Sequence, residues 1–281
     1  MFSERGQLAV ASSLLVILLI GLSSFGSAAY NSTGGSPTLP IARLIQAKGA
    51  NSFESLNWAG YAINATAGSV TQVKGSWVQS SVTCPSSGIL YVAFWTGIDG
   101  LTSSTVEQTG TMAQCSNGVA SYSAWYEFYP SGSVTISSLN IQPGNKISAT
   151  VKYSTKTSKF TVSIKDVTTG KSYSISSAVS GALRSSAEWI TETPEVCSVL
   201  SCSLSSLPNF ATASFGKDST SVSSTDSATI SGANSAISKF GSMVDELTMV
   251  TDPTGTPVMA QPSSLSTDGT SFSVTWVSPG P

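Results

Sequence analysis

The chain has 281 residues, of which only 10% are charged, and its formal net charge is −2. A chain so close to neutral has no positive electrostatic field to attract a polyanion, which argues against nucleic acid as a partner. Histidine is absent altogether, which excludes Ser-His-Asp and Cys-His catalytic arrangements and removes the commonest transition-metal ligand. We therefore expect neither a cofactor nor a metal. With every carboxyl protonated the chain would carry only 13 positive charges. Repulsion between them would stay modest and leave the compact state favoured, so the composition is compatible with a protein that functions at low pH.

The first 29 residues are typical of an export signal. Arg5 precedes an uncharged run in which residues 14–20 are all large aliphatics, and Ser27-Ala28-Ala29 suits a signal peptidase. Glu4 partly offsets Arg5, and residues 7–29 are long enough to span a bilayer, so an uncleaved N-terminal anchor is the alternative. In either case we expect the rest of the chain to be extracellular, with no membrane contact once the signal is removed.

Residues 30–53 are rich in Gly, Ser and Pro and then briefly basic, at Arg43 and Lys48. This composition predicts a linker or a short pro-segment ahead of a domain over residues 54–281. A basic pro-segment could shield an acidic cleft until it is cleaved.

From Asn57 onward the pattern indicates short strands separated by turns. Three successive runs alternate apolar and polar residues, over residues 147–153, 160–164 and 173–175, and so predict an antiparallel meander. Further β-like runs cover residues 73–78, 90–95, 121–129, 242–250 and 271–277. Many short strands without a persuasive helical period predict an all-β sandwich or barrel, and nothing demands more than a monomer.

The run over residues 124–129 predicts two different faces on one strand. Alternation gives one face Ala124, Tyr126 and Phe128, and the other face Trp125, Glu127 and Tyr129. The first set suits a core. The second puts a carboxylate between two large aromatics, as in a cleft wall, although an exposed edge with incidental aromatics would give the same pattern.

Four cysteines form an even set without C-x-x-C spacing. In an exported protein this predicts two disulfides, a tight loop between Cys197 and Cys202 and a wider one between Cys84 and Cys115. A four-thiolate zinc site is the alternative.

Residues 186–196 contain the most suggestive carboxylate. Glu188 lies between Ala187 and the bulky Trp189-Ile190 pair, and apolar surroundings raise the pKa of a carboxyl by desolvating its charged form. Such a group can take up and return a proton in general acid–base chemistry. The alternative is a purely structural carboxylate paired with Arg184.

Six motifs taken together resemble the glutamic peptidases, also called eqolisins. They occur in the family's order over residues 56–277: Asn57-Trp58-Ala59-Gly60, Phe94-Trp95-Thr96-Gly97-Ile98-Asp99-Gly100, Glu107-Gln108-Thr109-Gly110, Ala124-Trp125-Tyr126-Glu127-Phe128-Tyr129-Pro130, Thr168-Thr169-Gly170 and Ala187-Glu188-Trp189-Ile190. The resemblance implies an antiparallel two-sheet β-sandwich, related to the concanavalin-like jelly rolls, with a cleft on one face.

The resemblance also implies a function and a set of site residues. The family's catalytic Gln and Glu match Gln108 and Glu188, and the positions that line or support the cleft match Trp58, Trp95, Asp99, Glu127 and Tyr129. The implied activity is a secreted acid endopeptidase acting on proteins or peptides, in which Glu188 activates water and Gln108 stabilises the oxyanion. Glu107 should point to the opposite sheet face from its neighbour.

Two other functions fit parts of the sequence. A sandwich-fold glycoside hydrolase would use Glu127 and Glu188 as a carboxylate pair. A non-catalytic carbohydrate-binding module would use Trp58, Trp95 and Trp125 as a sugar platform.

Overall fold

The computed structural model describes residues 36–197 and 201–280. The predicted export signal lies outside the described residues. Within the described part of the chain, no helix is both long and apolar enough to cross a membrane.

Strands account for almost all of the regular structure in these residues. The first nine are β1 (Ser36–Thr38), β2 (Leu44–Gly49), β3 (Ser52–Ser55), β4 (Trp58–Asn64), β5 (Val70–Val78), β6 (Ile89–Ile98), β7 (Val106–Ser116), β8 (Val119–Tyr129) and β9 (Ser131–Thr135). The next seven are β10 (Lys146–Ser154), β11 (Lys159–Asp166), β12 (Ser172–Ser177), β13 (Ser186–Glu192), β14 (Glu195–Cys197), β15 (Cys202–Leu204) and β16 (Thr212–Gly216). The remaining elements are α1 (Lys217–Thr220), β17 (Ser227–Ile230), β18 (Ala233–Ala236), a 3₁₀ helix (Ile237–Met243), β19 (Val244–Val250), β20 (Val258–Pro262) and β21 (Ser271–Trp276).

The strands form two layers, as a sandwich requires. The first layer has the order β9-β8-β7-β6-β13-β4-β19. The second has the order β12-β11-β10-β5, continued by β17 and by β16 with β21. β20 connects the layers because it pairs with both β19 and β21. The predicted all-β, two-sheet sandwich is therefore confirmed, and the predicted meander is β10-β11-β12.

Alternation along the strands places a large apolar core between the layers. Phe94 and Trp189 of the first layer belong to one buried cluster with Trp77 and Phe160 of the second. Two buried indoles also bridge the layers by hydrogen bonds. Trp189 Nε1 donates to the Lys74 carbonyl oxygen at 2.8 Å, and Trp77 Nε1 donates to Thr111 Oγ1 at 2.8 Å. A buried indole needs such a partner, so these bonds fix how the two layers register on each other.

The opposite face of the first layer is also apolar and buried, although a sandwich often exposes its outer faces to water. Trp58, Trp95, Trp125 and Ile190 form a second buried cluster there. Leu39, which precedes β2, joins this cluster from the N-terminal segment. This face, here called the groove face because the family resemblance predicts a cleft on it, is therefore covered by a segment of the N-terminal chain.

Strands occur within the segment that was predicted to be a linker or pro-segment. β1 pairs with β14 in a small three-stranded sheet with β15, and β2 pairs with β3. β3, which contains the predicted domain boundary at residue 54, runs parallel to β19. Whether this segment is removed stays a prediction.

Both predicted disulfides are present, Cys84–Cys115 and Cys197–Cys202. The alternative of a four-thiolate zinc site is wrong, because all four sulfur atoms are used in S–S bonds. The second disulfide closes the β14-β15 hairpin on which β1 lies.

Candidate active site

One row of residues crosses the first layer from strand to strand. Glu188 lies opposite Gly97, Gly97 opposite Gln108, and Gln108 opposite Glu127. Directly opposed residues of antiparallel strands project from the same face, so these side chains share the groove face. Neighbouring strands are roughly 4.8 Å apart, which separates the Cα atoms of Glu188 and Gln108 by roughly 10 Å.

The middle position of this row is a glycine for a steric reason. A Cβ at Gly97 would come within 2.9 Å of the Trp95 ring and 3.1 Å of the Gln108 Cβ. Any side chain there would fill the space between Gln108 and Glu188. The glycine therefore leaves room for a small molecule or a substrate group between the amide and the carboxyl.

The amide of Gln108 has a fixed orientation. Its Nε2 donates one hydrogen bond to Glu127 Oε2 at 2.7 Å and another to the Leu39 carbonyl oxygen at 3.0 Å. One N–H of the amide therefore points at the Glu127 carboxyl, and the other points at the backbone carbonyl of Leu39. Burial raises the pKa of Glu127 to about 8, and the hydrogen bond from Gln108 opposes that rise.

Glu188 is fully buried on the groove face. Desolvation raises the pKa of its carboxyl well above the ordinary value; the nearby Ser186 side chain opposes the rise, while the nearby charges of Asp99 and Glu107 add to it. This is the direction expected from its apolar neighbours in the sequence. The alternative pairing with Arg184 is wrong, because that guanidinium lies over the Tyr153 ring, 4.2 Å from its centroid.

Asp99 holds the chain that leads into the strand of Glu188. Its carboxylate accepts hydrogen bonds from the backbone N–H groups of Arg184 at 2.6 Å and Ser185 at 2.8 Å, and from Ser185 Oγ at 3.1 Å. These residues immediately precede β13. Asp99 therefore holds the residues at which β13 begins, and it does so from a left-handed backbone conformation at φ 71°.

A further buried carboxyl, Glu192, was missed by the sequence reasoning. Trp95 Nε1 donates to Glu192 Oε2 at 2.8 Å, and the Trp95 ring packs edge-on against Trp58 with centroids 4.8 Å apart. Burial raises the pKa of Glu192, and the charge of Glu127 adds to the rise. Alternation could have found it, because Glu192 lies four positions after Glu188 and so faces the same side of β13.

The remaining sequence predictions about faces agree with the strand register. Tyr129 packs at the margin of the groove cluster that contains Trp125. Glu107 lies opposite Ile98 and Phe128, so it faces the second layer and not the groove. Burial there raises the pKa of Glu107 to about 9.

The geometry offers little to the two alternative functions. Glu127 and Glu188 are three strand spacings apart, roughly 14 Å between Cα atoms, and Gln108 takes up one oxygen of Glu127. The rings of Trp58, Trp95 and Trp125 are buried, so they do not form an exposed sugar platform.

Comparison with known proteins identifies the family. The model of the Peptidase A4 family matches residues 56–277. The chain belongs to this family. The predicted resemblance to the glutamic peptidases is thereby confirmed, and the row from Glu188 to Glu127 lies inside the matched Peptidase A4 region.

Two curated proteins are similar to parts of this Peptidase A4 chain. Aspergillopepsin-2 of Aspergillus niger is 33% identical over 160 residues, covering 49% of this chain and 56% of the relative. Scytalidopepsin B of Scytalidium lignicola is 39% identical over 107 residues, covering 37% of this chain and 40% of the relative. The aligned regions thus span about half of these two proteins or less.

Two solved structures share the Peptidase A4 fold over a larger part of the chain. A crystal structure of scytalido-glutamic peptidase with a transition state analog inhibitor has 25% identity and a TM-score of 0.64, covering 79% of this chain and 98% of that one. Aspergilloglutamic peptidase from Aspergillus niger has 30% identity and a TM-score of 0.53, covering 67% of this chain and 99% of that one.

Proposed function

We propose that this protein is a secreted acid endopeptidase that hydrolyses peptide bonds in proteins, with Glu188 and Gln108 as its catalytic pair. The observation that carries the proposal is the row in which only Gly97 lies between these two side chains on a buried groove face. Membership of the Peptidase A4 family supports the reaction class. The two disulfides fit an extracellular location.

Gln108 supplies the oxyanion donor. With one N–H committed to Glu127, the other, which here donates to the Leu39 carbonyl oxygen, is placed to donate to the carbonyl oxygen of the scissile peptide and to its tetrahedral oxyanion once a substrate displaces Leu39. Its present hydrogen bond to the Leu39 carbonyl supports this role, because the same N–H already reaches a peptide oxygen. One such donor in a dry site is worth about 3–4 kcal/mol of transition-state stabilisation.

Glu188 supplies the proton transfers. In its ionised form it takes a proton from water, whose oxygen attacks the carbonyl carbon to form the tetrahedral intermediate. The protonated carboxyl then gives that proton to the leaving nitrogen as the C–N bond breaks, which regenerates the carboxylate. The space above Gly97 is where the water and the scissile carbonyl would lie.

The test is digestion of an acid-denatured protein at about pH 2–5, the range around the ordinary pKa of a carboxyl, with pepstatin present to suppress aspartic peptidases. We expect cleavage by the wild type, and losses of roughly a hundredfold or more in kcat for Gln108→Ala and Glu188→Gln. Gln114→Ala is the matched control, because Gln114 is on the same strand but outside the row. Cleavage that survives either site substitution at full rate would contradict the assignment.

A further inference from the structure

The outer face of the second layer, on the side of the sandwich away from the groove face, is built from only three residue types. Alternate residues point outward there, from Lys146 to Lys152 on β10, from Lys159 to Lys165 on β11 and from Ser172 to Ser176 on β12. Each of these eleven positions, here called the lysine face, is Lys, Ser or Thr, and each is half-buried or exposed. Within the described chain, no other element therefore covers this face.

The lysines lie at the two ends of the lysine face. The register of β10 and β11 puts Lys152 and Lys159 at one end and Lys146 and Lys165 at the other. Six residue steps separate Lys146 from Lys152 along β10, so the two ends are roughly 20 Å apart. Between them, Ser and Thr side chains line most of a shallow depression of about 260 Å³. The face is thus a strip of hydroxyls with two ammonium groups at each end.

The positive charge of the lysine face is not balanced by acidic neighbours. Residues 146–177 contain two further lysines, Lys156 and Lys171, and a single acid, Asp166. Both lysines are exposed, whereas the Asp166 carboxylate is 1% exposed and accepts hydrogen bonds from the turn that follows it. The ion pairs of the described chain lie elsewhere. This face is therefore positive, although the whole chain has a formal net charge of −2.

The hydroxyls of the lysine face are arranged in rows across the strands. The Thr161 and Ser176 hydroxyls are hydrogen-bonded at 2.7 Å, and those of Ser163 and Ser174 at 2.8 Å. A hydroxyl has one donor and two acceptor positions, so each member of a pair can also bind a hydroxyl or an anionic oxygen of a ligand. Membrane-binding surfaces insert apolar side chains, and single-stranded nucleic acids stack on aromatic rings. The eleven positions have neither, so the face fits a hydrophilic, anionic chain.

We propose that the lysine face binds an extended polysaccharide that carries sulfate esters. The ammonium groups at the two ends pair with sulfates, and the hydroxyls between them exchange hydrogen bonds with the sugar. The choice of sulfate over carboxylate rests on the proposed acid function, because a sulfate ester keeps its charge in acid, where a carboxylate is protonated. The binding itself does not depend on Glu188 or Gln108. Because the two outer faces of a sandwich lie on opposite sides, the bound polymer does not contact the groove face.

The main test is binding of the full chain to dextran sulfate by isothermal titration calorimetry at pH 7, where the net charge is −2. Overall charge cannot cause binding there, so we expect binding that weakens as salt is added, and none to unmodified dextran. Lys165→Glu should weaken it at least about fivefold, the typical contribution of one lysine close to an anionic surface. Lys239→Glu is the matched control, because it makes the same charge change at an exposed lysine of the 3₁₀ helix, and it should leave the affinity within about twofold.

A second measurement tests the choice of sulfate. At about pH 3, below the ordinary pKa of a carboxyl, dextran sulfate should still bind, and carboxymethyl dextran should bind at least about tenfold more weakly. Lys165→Arg keeps the charge and should bind as the wild type does, which shows that the loss in Lys165→Glu is electrostatic. Equal melting temperatures for these variants check that the fold is intact.

Three results would overturn this proposal: no binding of dextran sulfate at pH 7, equal affinities for the wild type, Lys152→Glu and Lys165→Glu, or tighter binding to duplex DNA or to phosphatidylglycerol vesicles than to dextran sulfate. Each of them leaves the proposed function intact, because acid proteolysis is measured separately. Conversely, polymer binding without acid proteolysis would count against the proposed function and support the lysine face.

Discussion

The buried carboxyl of Glu107 makes a quantitative prediction about stability and pH. Glu107 faces the second layer between Ile98 and Phe128, and burial raises its pKa from its ordinary value of 4.5 to about 9. Below pH 4.5 both the folded and the unfolded chain carry this proton, so the group makes no difference there. Between 4.5 and 9 the unfolded chain ionises and the folded chain does not, so stability falls as the pH rises.

The size of this stability loss follows from the pH interval over which only the unfolded chain ionises. Each pH unit costs about 1.4 kcal/mol, so by pH 7 the folded state has lost about 3 kcal/mol through Glu107. Glu107→Gln keeps the shape but cannot ionise. We therefore expect the free energy of unfolding to drop between pH 4 and pH 7 by about 3 kcal/mol less in Glu107→Gln than in the wild type.

The assay is urea unfolding at both pH values, followed by tryptophan fluorescence. Asp218→Asn, which removes an exposed carboxylate, is the matched control and should keep the wild-type dependence. Equal pH dependence in Glu107→Gln and the wild type would refute the reasoning, because it would mean that the buried carboxyl ionises as readily as an exposed one.

Three further predictions follow from the site and the disulfides. Gly97→Ala should lower activity and cost about 1–3 kcal/mol of stability by overpacking, whereas Gly132→Ala, whose Cβ would meet nothing within 4 Å, should change neither the activity nor the melting temperature. Glu127→Ala should lower kcat about tenfold or more because the Gln108 amide, the proposed oxyanion donor, loses the acceptor that orients it, and an unchanged kcat would contradict that role. Replacing both Cys84 and Cys115 by Ser should reduce the free energy of unfolding by about 3–4 kcal/mol in a denaturant titration, and a loss below about 1 kcal/mol would contradict it.

Local alternation was sufficient for much of the fold. It predicted the β10-β11-β12 meander and the two faces of β8, because a strand's side chains alternate regardless of which strand lies beside it. It could not predict the row from Glu188 to Gln108. That row depends on β13 pairing with β6, a contact between residues about ninety positions apart, and only the family resemblance pointed to it.

The N-terminal segment shows where local reasoning from the sequence gives the wrong structure. Its Gly, Ser and Pro content favours a linker by local criteria, yet the strand at Ser36–Thr38 forms because β14 offers a partner edge far along the chain. Nothing within residues 30–53 reveals that partner. Glu192 is a different case. Its four-residue spacing from Glu188 places both side chains on the same face of β13, so the sequence alone was enough to predict it.

The direct connection of residues 36–43 to β2 has a consequence for how dilution affects the protein. While residues 36–43 remain joined to the fold, their local concentration at the groove is set by the tether and not by the amount of protein in solution. One backbone cut between these residues and β2 would convert an intramolecular occupant into a separate peptide that leaves as the sample is diluted. Residues 36–43 would then be a tethered occupant of that face in the intact chain and a weak, concentration-dependent ligand after the cut.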